Sequence, residues 1–171
     1  MDREAQLAWS GLPARDRGLV ATLFLMVGLP GAGKTTLARK IEHERSALRL
    51  TPDEWMGALS FDPYDEEKRA AVEALQWIVA ARALELGIDV ILDFGFWGRS
   101  ERDDFRARAS SLGAGTEVRF LDVPRSELVS RLSARNAKLP PDTFRVDEAQ
   151  LDSYFSGFEA PTQEELSNED A

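Results

Sequence analysis

Apolar and polar positions along the chain follow two patterns that alternate. Residues 20–27 and 89–92 are nearly continuous apolar runs, typical of strands buried on both faces of a parallel sheet. Two further runs, 47–51 and 116–123, also predict strands. Apolar residues at helical spacing predict helices over 35–41, 65–86, 100–112, 124–137 and 147–157. Strands that alternate with helices predict an α/β fold, a doubly wound parallel sheet of four to five strands with helices on both faces.

Glycine and proline residues and the distribution of charged residues indicate one domain with a polar segment at each end. Residues 1–18 are polar and interrupted by glycine and proline, so we expect a loosely ordered lead-in. The length of 171 residues suits a single core, which we place at residues 19–160, with a helical lid around 125–141. Residues 161–171 are mostly polar and acidic, and we expect a frayed tail there.

The junction between the first predicted strand and helix has the sequence GLPGAGKTT, residues 28–36. Gly28, Gly33, Lys34 and Thr35 satisfy the pattern G-x-x-x-x-G-K-[ST], in which backbone N–H groups surround phosphate oxygens. The lysine reaches the β- and γ-phosphates, and the hydroxyl binds Mg²⁺. We therefore predict a site for ATP and Mg²⁺. Its predicted nucleotide-binding residues in this segment are Gly28, Pro30, Gly31, Ala32, Gly33, Lys34, Thr35 and Thr36.

Composition narrows the classes of partner. The chain has no cysteine and a single histidine, His43, so neither disulfides nor a cysteine-based zinc site are possible. The net charge of −9 opposes a nucleic acid partner and suits a neutral or cationic small molecule. No apolar stretch is long enough to span a membrane, and the N-terminal residues lack a signal-peptide pattern. We therefore expect a cytoplasmic protein with no membrane partner, as a monomer or homodimer.

Charged residues follow the predicted strands where a doubly wound sheet places its ligands. Asp53 follows the second strand, and a carboxylate there can take a proton from an acceptor hydroxyl. Its alternative role is helix capping in the segment TPDEW. Asp93 ends the third strand, where it can bind Mg²⁺ through water, orient the substrate, or serve only as a turn residue. Arg131 and Arg135 share a helix face after the fourth strand and predict nucleotide binding and charge stabilisation, with solvated surface charge as the alternative.

A second set of residues is predicted to bind the acceptor. Aromatic side chains near the two acidic strand ends can form the wall of a pocket for a ring-bearing ligand, although they can equally be core residues. Two arginines, Arg99 and Arg102, follow the third strand and can bind substrate or form surface salt bridges. The predicted substrate-binding residues are Asp53, Trp55, Asp93, Phe94, Trp97, Arg99 and Arg102.

The glycine-rich loop, Asp53, the segment VILD (residues 90–93) and RLSAR (residues 131–135) resemble those of small P-loop kinases. The group includes zeta toxins, chloramphenicol phosphotransferases and the kinase domain of phage polynucleotide kinases. This resemblance covers roughly residues 20–140. It implies that Asp53 is the general base, that Arg131 and Arg135 are lid arginines, and that Asp93 and Arg102 face the acceptor. Polynucleotide kinases carry an arginine three residues after the base, where this chain has Met56.

These features predict an ATP- and Mg²⁺-dependent phosphotransferase that acts on a hydroxyl of a small molecule, such as an antibiotic or sugar. Lys34, Asp53 and Arg135 are the predicted catalytic residues, and Thr35 is the predicted Mg²⁺ ligand, with Asp93 acting through water. A polynucleotide or nucleotide-sugar kinase is the alternative enzyme, and a nucleotide-binding switch with slow ATP hydrolysis is the alternative from another class. A fifth strand is not evident, so we expect residues 158–161 and the last helix to complete the adenine pocket.

Overall fold

The computed structural model describes residues 20–138 and 145–167. Four strands and seven helices follow one another along these residues. They are β1 (Thr22–Val27), α1 (Lys34–Arg45), β2 (Leu48–Leu50), α2 (Pro52–Ala58), α3 (Glu66–Glu85), β3 (Val90–Gly95), α4 (Arg99–Ser111), β4 (Gly115–Phe120), α5 (Arg125–Ala137), α6 (Glu148–Gly157) and α7 (Gln163–Ser167). The predicted lead-in at 1–18, residues 139–141 of the predicted lid and the last four residues lie outside the described part of the chain.

The four strands form one parallel sheet in the order β2-β3-β1-β4. The strand β1 lies between β3 and β4, with Leu25 beside Leu92 on one side and Val118 on the other. The connection from β1 passes β3 to reach β2 at one edge of the sheet. The connection from β3 runs in the opposite direction and passes β1 to reach β4 at the other edge. The strand order therefore reverses between β1 and β3, and ligands of such sheets bind beyond the strand ends at that point. The predicted α/β fold is confirmed.

Alternate residues of β1 enter two separate cores, as the period of a strand requires. Leu23 and Leu25 pack with residues of α3 and α4 on one face of the sheet. Phe24 and Met26 pack with Ala38 and Ile41 of α1 on the other face. Burying each such side chain stabilises the fold by about 1.5–3 kcal/mol. The continuous apolar pattern of this strand thus reflects helices on both faces.

The C-terminal residues differ from their prediction. Residues 163–167 form α7 rather than a frayed tail, and Glu165 is only 3% exposed. Its carboxylate forms a buried ion pair with Arg102 of α4 at 2.7 Å. Just before α7, Phe158 stacks on Phe120 of β4. The C-terminal segment therefore belongs to the packed domain as far as residue 167.

Candidate active site

The loop between β1 and α1 has the backbone conformation that its glycines allow. Gly28 has a φ of +147°, and a Cβ there would lie 3.1 Å from the carbonyl oxygen of Leu121. Gly33 has a φ of +102° and caps the amino end of α1 in the left-handed region. The helix begins at Lys34, so its free N–H groups open toward the loop, where anions bind.

The ammonium group of Lys34 lies among the charged groups of this site. Its Nζ donates a 3.1 Å hydrogen bond to the carbonyl oxygen of Leu29, which holds the side chain across the loop. Burial lowers the pKa of Lys34, and the nearby carboxylates of Asp93 and Asp53 oppose that effect. Because the ammonium group of Lys34 lies within electrostatic range of both carboxylates, the loop, β3 and α2 converge around Lys34.

Thr35 and Asp93 form a pair suited to a divalent cation. Thr35 Oγ1 donates a 2.6 Å hydrogen bond to Asp93 Oδ2, while Asp93 Oδ1 is buried and has no hydrogen-bond partner among the residues that the structure describes. The pKa of Asp93 is raised mainly by burial, against the hydrogen bond from Thr35 and the charge of Lys34. An unpaired carboxylate oxygen beside a hydroxyl group is suited to Mg²⁺, which takes few protein ligands and keeps several bound waters. The described residues contain no cluster of three or more carboxylate, histidine or cysteine side chains that could hold a metal ion.

Asp53 lies at the other side of the cleft, near the start of α2. The N-cap of this helix is Thr51, not Asp53, and Thr51 makes no side-chain capping bond. The carboxylate of Asp53 instead accepts a hydrogen bond at Oδ1 from Nη2 of Arg69, on α3. Arg69 Nη1 also lies 3.7 Å from Oε1 of Glu73, one helical turn further along. The arrangement therefore disfavours the capping alternative for Asp53 and leaves the general-base hypothesis in place.

One cleft of about 740 Å³ joins these groups. The predicted site residues that line it are Pro30, Gly31, Gly33, Lys34, Thr35, Thr36, Asp53, Asp93, Phe94, Trp97, Arg131 and Arg135. The unpredicted residues that line it include Arg39, Glu66, Arg69, Glu73, Glu101, Tyr64 and Tyr154. The cleft is thus cationic beside the loop and acidic toward α3, with aromatic rings along its wall.

The two arginines of α5 differ in their contacts. Arg131 donates from Nη1 to the carbonyl oxygen of Ala32 at 3.1 Å and pairs with Glu127 through Nη2. The side chain of Arg131 therefore supports the loop directly. Burial lowers the pKa of Arg135, and the negative charge of Asp53 opposes that effect. Arg135 thus lies within the electrostatic range of both Asp53 and Lys34.

Three predicted acceptor-binding residues lie elsewhere. Arg102 is fully buried, and it donates to Glu165 and to the carbonyl oxygens of Phe96 and Glu159. The predicted role of Arg102 in substrate binding is therefore wrong, because its guanidinium holds the C-terminal segment on α4. Arg99 does not line the cleft and pairs with Asp103 on the surface. Trp55 packs against the main core and does not line this cleft.

The sequence patterns missed the contributions of α3 and α6. Arg69 and Glu73 are four residues apart, a spacing that is also typical of solvated helix pairs. Tyr154 of α6 contacts Trp97, with ring centroids 4.7 Å apart. No local signal distinguishes these residues from surface residues, since only the packing of their helices brings them to the cleft.

The fold and the loop define a P-loop nucleotide-binding domain. A family model described as AAA domain matches residues 23–161, and the chain belongs to that family. No helix among the described residues is long and apolar enough to cross a membrane.

Three solved structures are similar to this chain. A candidate kinase from Chloroflexus aurantiacus is 18% identical with a TM-score of 0.68, over 84% of this chain and 83% of that one. A gluconokinase from Sinorhizobium meliloti is 18% identical with a TM-score of 0.57, over 85% and 78%. A chain of the Pnkp1/Rnl/Hen1 complex is 22% identical with a TM-score of 0.59, over 66% of this chain but only 39% of that one. These similarities confirm the predicted P-loop kinase fold.

Proposed function

We propose that this protein is an ATP- and Mg²⁺-dependent phosphotransferase whose acceptor is a hydroxyl of a small molecule. The observation that carries the proposal is the convergence of Lys34, the Thr35–Asp93 pair, Asp53 and Arg135 on one cleft. A switch needs the phosphate loop and the cation site but has no use for a carboxylate at the acceptor side. The second carboxylate therefore favours transfer over switching.

The chemistry follows from the positions of these side chains. The acceptor oxygen forms a bond to the γ-phosphorus as the bond from that phosphorus to the β,γ-bridging oxygen breaks, and ADP leaves. Asp53 takes the acceptor's proton. Lys34 and Arg135 stabilise the charge on the transferred group. Thr35 and Asp93 would hold Mg²⁺, which supplies further charge neutralisation when bound.

Charge at the acceptor side indicates the kind of acceptor. Glu66, Glu73 and Glu101 line this part of the cleft together with Asp53, and the guanidinium of Arg69 is paired with two of these four carboxylates. Such an environment repels phosphate and carboxylate groups and favours a neutral or cationic acceptor. The rings of Trp97 and Tyr154 offer an apolar wall to a ring-bearing molecule. An aminocyclitol, a sugar or a phenicol satisfies these conditions.

A polynucleotide kinase is the second candidate, because the chain of the Pnkp1/Rnl/Hen1 complex shares the fold. The net charge of −9 opposes it. Met56, where polynucleotide kinases carry an arginine, is only 1% exposed and packs in the core.

The test incubates the protein with Mg-ATP and separate panels of aminocyclitols, sugars, phenicols and 5′-hydroxyl oligonucleotides, and detects phosphorylated product by mass spectrometry. We expect a product in one of the first three panels and none with Lys34→Ala protein. Product only with oligonucleotides would establish the second candidate. ADP release without any phosphorylated acceptor would favour the switch.

A further inference from the structure

The helix α3 brings a guanidinium group to the proposed base. Nη2 of Arg69 donates to Oδ1 of Asp53, although the two residues are 16 positions apart on different helices. The side chain of Arg69 is mostly buried, and its second contact, with Glu73, fixes the other side of the guanidinium. A guanidinium that donates to Asp53 and lies beside Glu73 has less rotational freedom to lose when substrate binds.

The contact occupies one oxygen of the carboxylate. Within the described part of the chain, Asp53 Oδ1 accepts the hydrogen bond from Arg69 and no hydrogen bond reaches Asp53 Oδ2. One oxygen is thus restrained, and the other can accept a proton. A base must lie within hydrogen-bond reach of the proton it takes, so the orientation of its carboxylate matters for the rate.

We propose that Arg69 is a positioning residue that holds Asp53 for proton transfer from the acceptor. This inference rests on the proposed function, since it assumes that Asp53 is the base. It also gives physical meaning to Met56, which lies one helical turn after Asp53 and is buried in the core. Position 56 supplies no cation one turn after the base, and the neighbouring helix α3 supplies one through Arg69.

Two other roles for Arg69 make different predictions. If Arg69 binds the acceptor directly, its loss raises the KM for the acceptor and adds to the effect of losing Asp53. If Arg69 only ties α2 to α3, its loss lowers stability and leaves kcat intact in the protein that remains folded. A positioning residue instead acts through Asp53 alone, so the two substitutions must be non-additive.

The test is a double-mutant cycle on kcat with Arg69→Gln, Asp53→Asn and the double variant. The acceptor is the compound that gives a phosphorylated product in the panel above. If no compound gives a product, the acceptor is water, and the reaction is followed as ADP release from Mg-ATP. We expect Arg69→Gln to lower kcat by about 10–100-fold, less than the loss of the base itself, with an unchanged KM for ATP. Arg69→Gln should cost nothing further in the Asp53→Asn background. Millimolar guanidinium should restore part of the activity of Arg69→Gln, and methylammonium should restore less.

Arg82→Gln is the matched control, because Arg82 lies on the same helix and forms an exposed pair with Glu85. Arg69→Lys is the second variant if Arg69→Gln does not fold, and it should retain an intermediate rate. Additive losses, or an unchanged kcat for folded Arg69→Gln, would overturn the inference. Full activity of Asp53→Asn would instead overturn the assignment of Asp53 as the base, and the inference about Arg69 with it. The two failures are therefore distinguished by the activity of Asp53→Asn.

Discussion

Thr35 Oγ1, at the start of α1, donates a 2.6 Å hydrogen bond to Asp93 Oδ2, near the carboxyl end of β3. The contact joins two residues 58 positions apart at the point where the strand order reverses. Within the described part of the chain it leaves Asp93 Oδ1 without a hydrogen-bond partner, although Asp93 is only 6% exposed. A buried unpaired oxygen is costly, so a cation with its waters is the natural complement of this pair.

Asp93→Asn should therefore raise the Mg²⁺ concentration needed for half-maximal activity by about 10–100-fold, as losses of supporting groups around metals do. A Mg²⁺ titration of ADP release measures this shift. Asp122→Asn, in the exposed loop after β4, is the control. An unchanged Mg²⁺ titration for folded Asp93→Asn would show that the cation binds elsewhere.

Lys34→Ala should lower phosphoryl transfer by at least ~10²-fold, because the ammonium group acts on charge that develops on the phosphoryl group. Among the described residues its one hydrogen bond joins Nζ to the carbonyl oxygen of Leu29, so the stability loss should stay within about 1.5 kcal/mol. Kinetics and urea unfolding measure the two effects. Lys40→Ala is the control, since Lys40 is exposed on the same helix and pairs with Glu44 at the surface. Near-normal transfer by folded Lys34→Ala would contradict the assignment of the loop.

The sequence predicted the parts of the site that local chemistry specifies. The loop from Gly28 to Thr35 requires a particular order of residue types, and the strand end at Asp93 follows from the topology of a parallel sheet. The loop lies between β1 and α1 as predicted, whereas β3 continues to Gly95, so Asp93 lies inside the strand rather than at its end. The position of Asp53 was also predicted correctly, and its role as base stays a prediction.

The failures share one physical cause. Arg102 was placed beside the acceptor because it follows a strand end, yet its partner Glu165 lies 63 residues further along the chain. Arg69 and Glu73 were missed because a charged pair four residues apart is equally suited to solvent. In each case the role depends on which face of a helix meets the rest of the domain, and single-helix patterns do not determine that contact.

Glu73 should make stability depend on pH. Burial raises its pKa to about 7, with nearby Glu101 adding to the effect and Arg69 opposing it. The folded state therefore holds a proton that the unfolded state has already lost, and this contribution disappears as the pH rises from about 4.5 to 7. We expect Glu73→Gln to gain roughly 1–3 kcal/mol of stability relative to wild type between about pH 5 and about pH 8. Urea unfolding at both pH values measures this, and parallel profiles would contradict it.

The ion pair between Arg102 and Glu165 should dominate the stability of the C-terminal segment. Glu165→Gln leaves the buried guanidinium without its counterion, so we expect a loss of about 3–5 kcal/mol. Glu164→Gln, its exposed neighbour, should change stability by less than about 0.5 kcal/mol. Urea unfolding of both variants measures the difference, and equal stabilities would restore the original prediction of a frayed tail.

The same ion pair predicts acid sensitivity. Burial raises the pKa of Glu165, but hydrogen bonds from Arg102 and from the backbone of Thr162 outweigh it and lower the pKa to about 2. The stabilisation is fully present above the ordinary value of 4.5 and is lost as the pH falls toward about 2. Wild type should therefore lose its advantage over Glu165→Gln in that range.

Arg135 and Arg131 share a face of α5, but their contacts predict different kinetic effects. Arg131 donates to the carbonyl oxygen of Ala32, so Arg131→Ala should loosen the phosphate loop and raise the KM for ATP. Arg135 lies within the electrostatic range of Asp53, so Arg135→Ala should lower kcat by about 10²–10³-fold with a small change in that KM. The difference arises because a loop contact stabilises the bound nucleotide before and during transfer, whereas a cation near the acceptor acts on charge that develops only during transfer.

Steady-state kinetics of both variants with Mg-ATP provide the comparison. A rise in KM alone for Arg135→Ala would place its guanidinium on the bound nucleotide, and equal effects of the two substitutions would mean that the two arginines act as one unit.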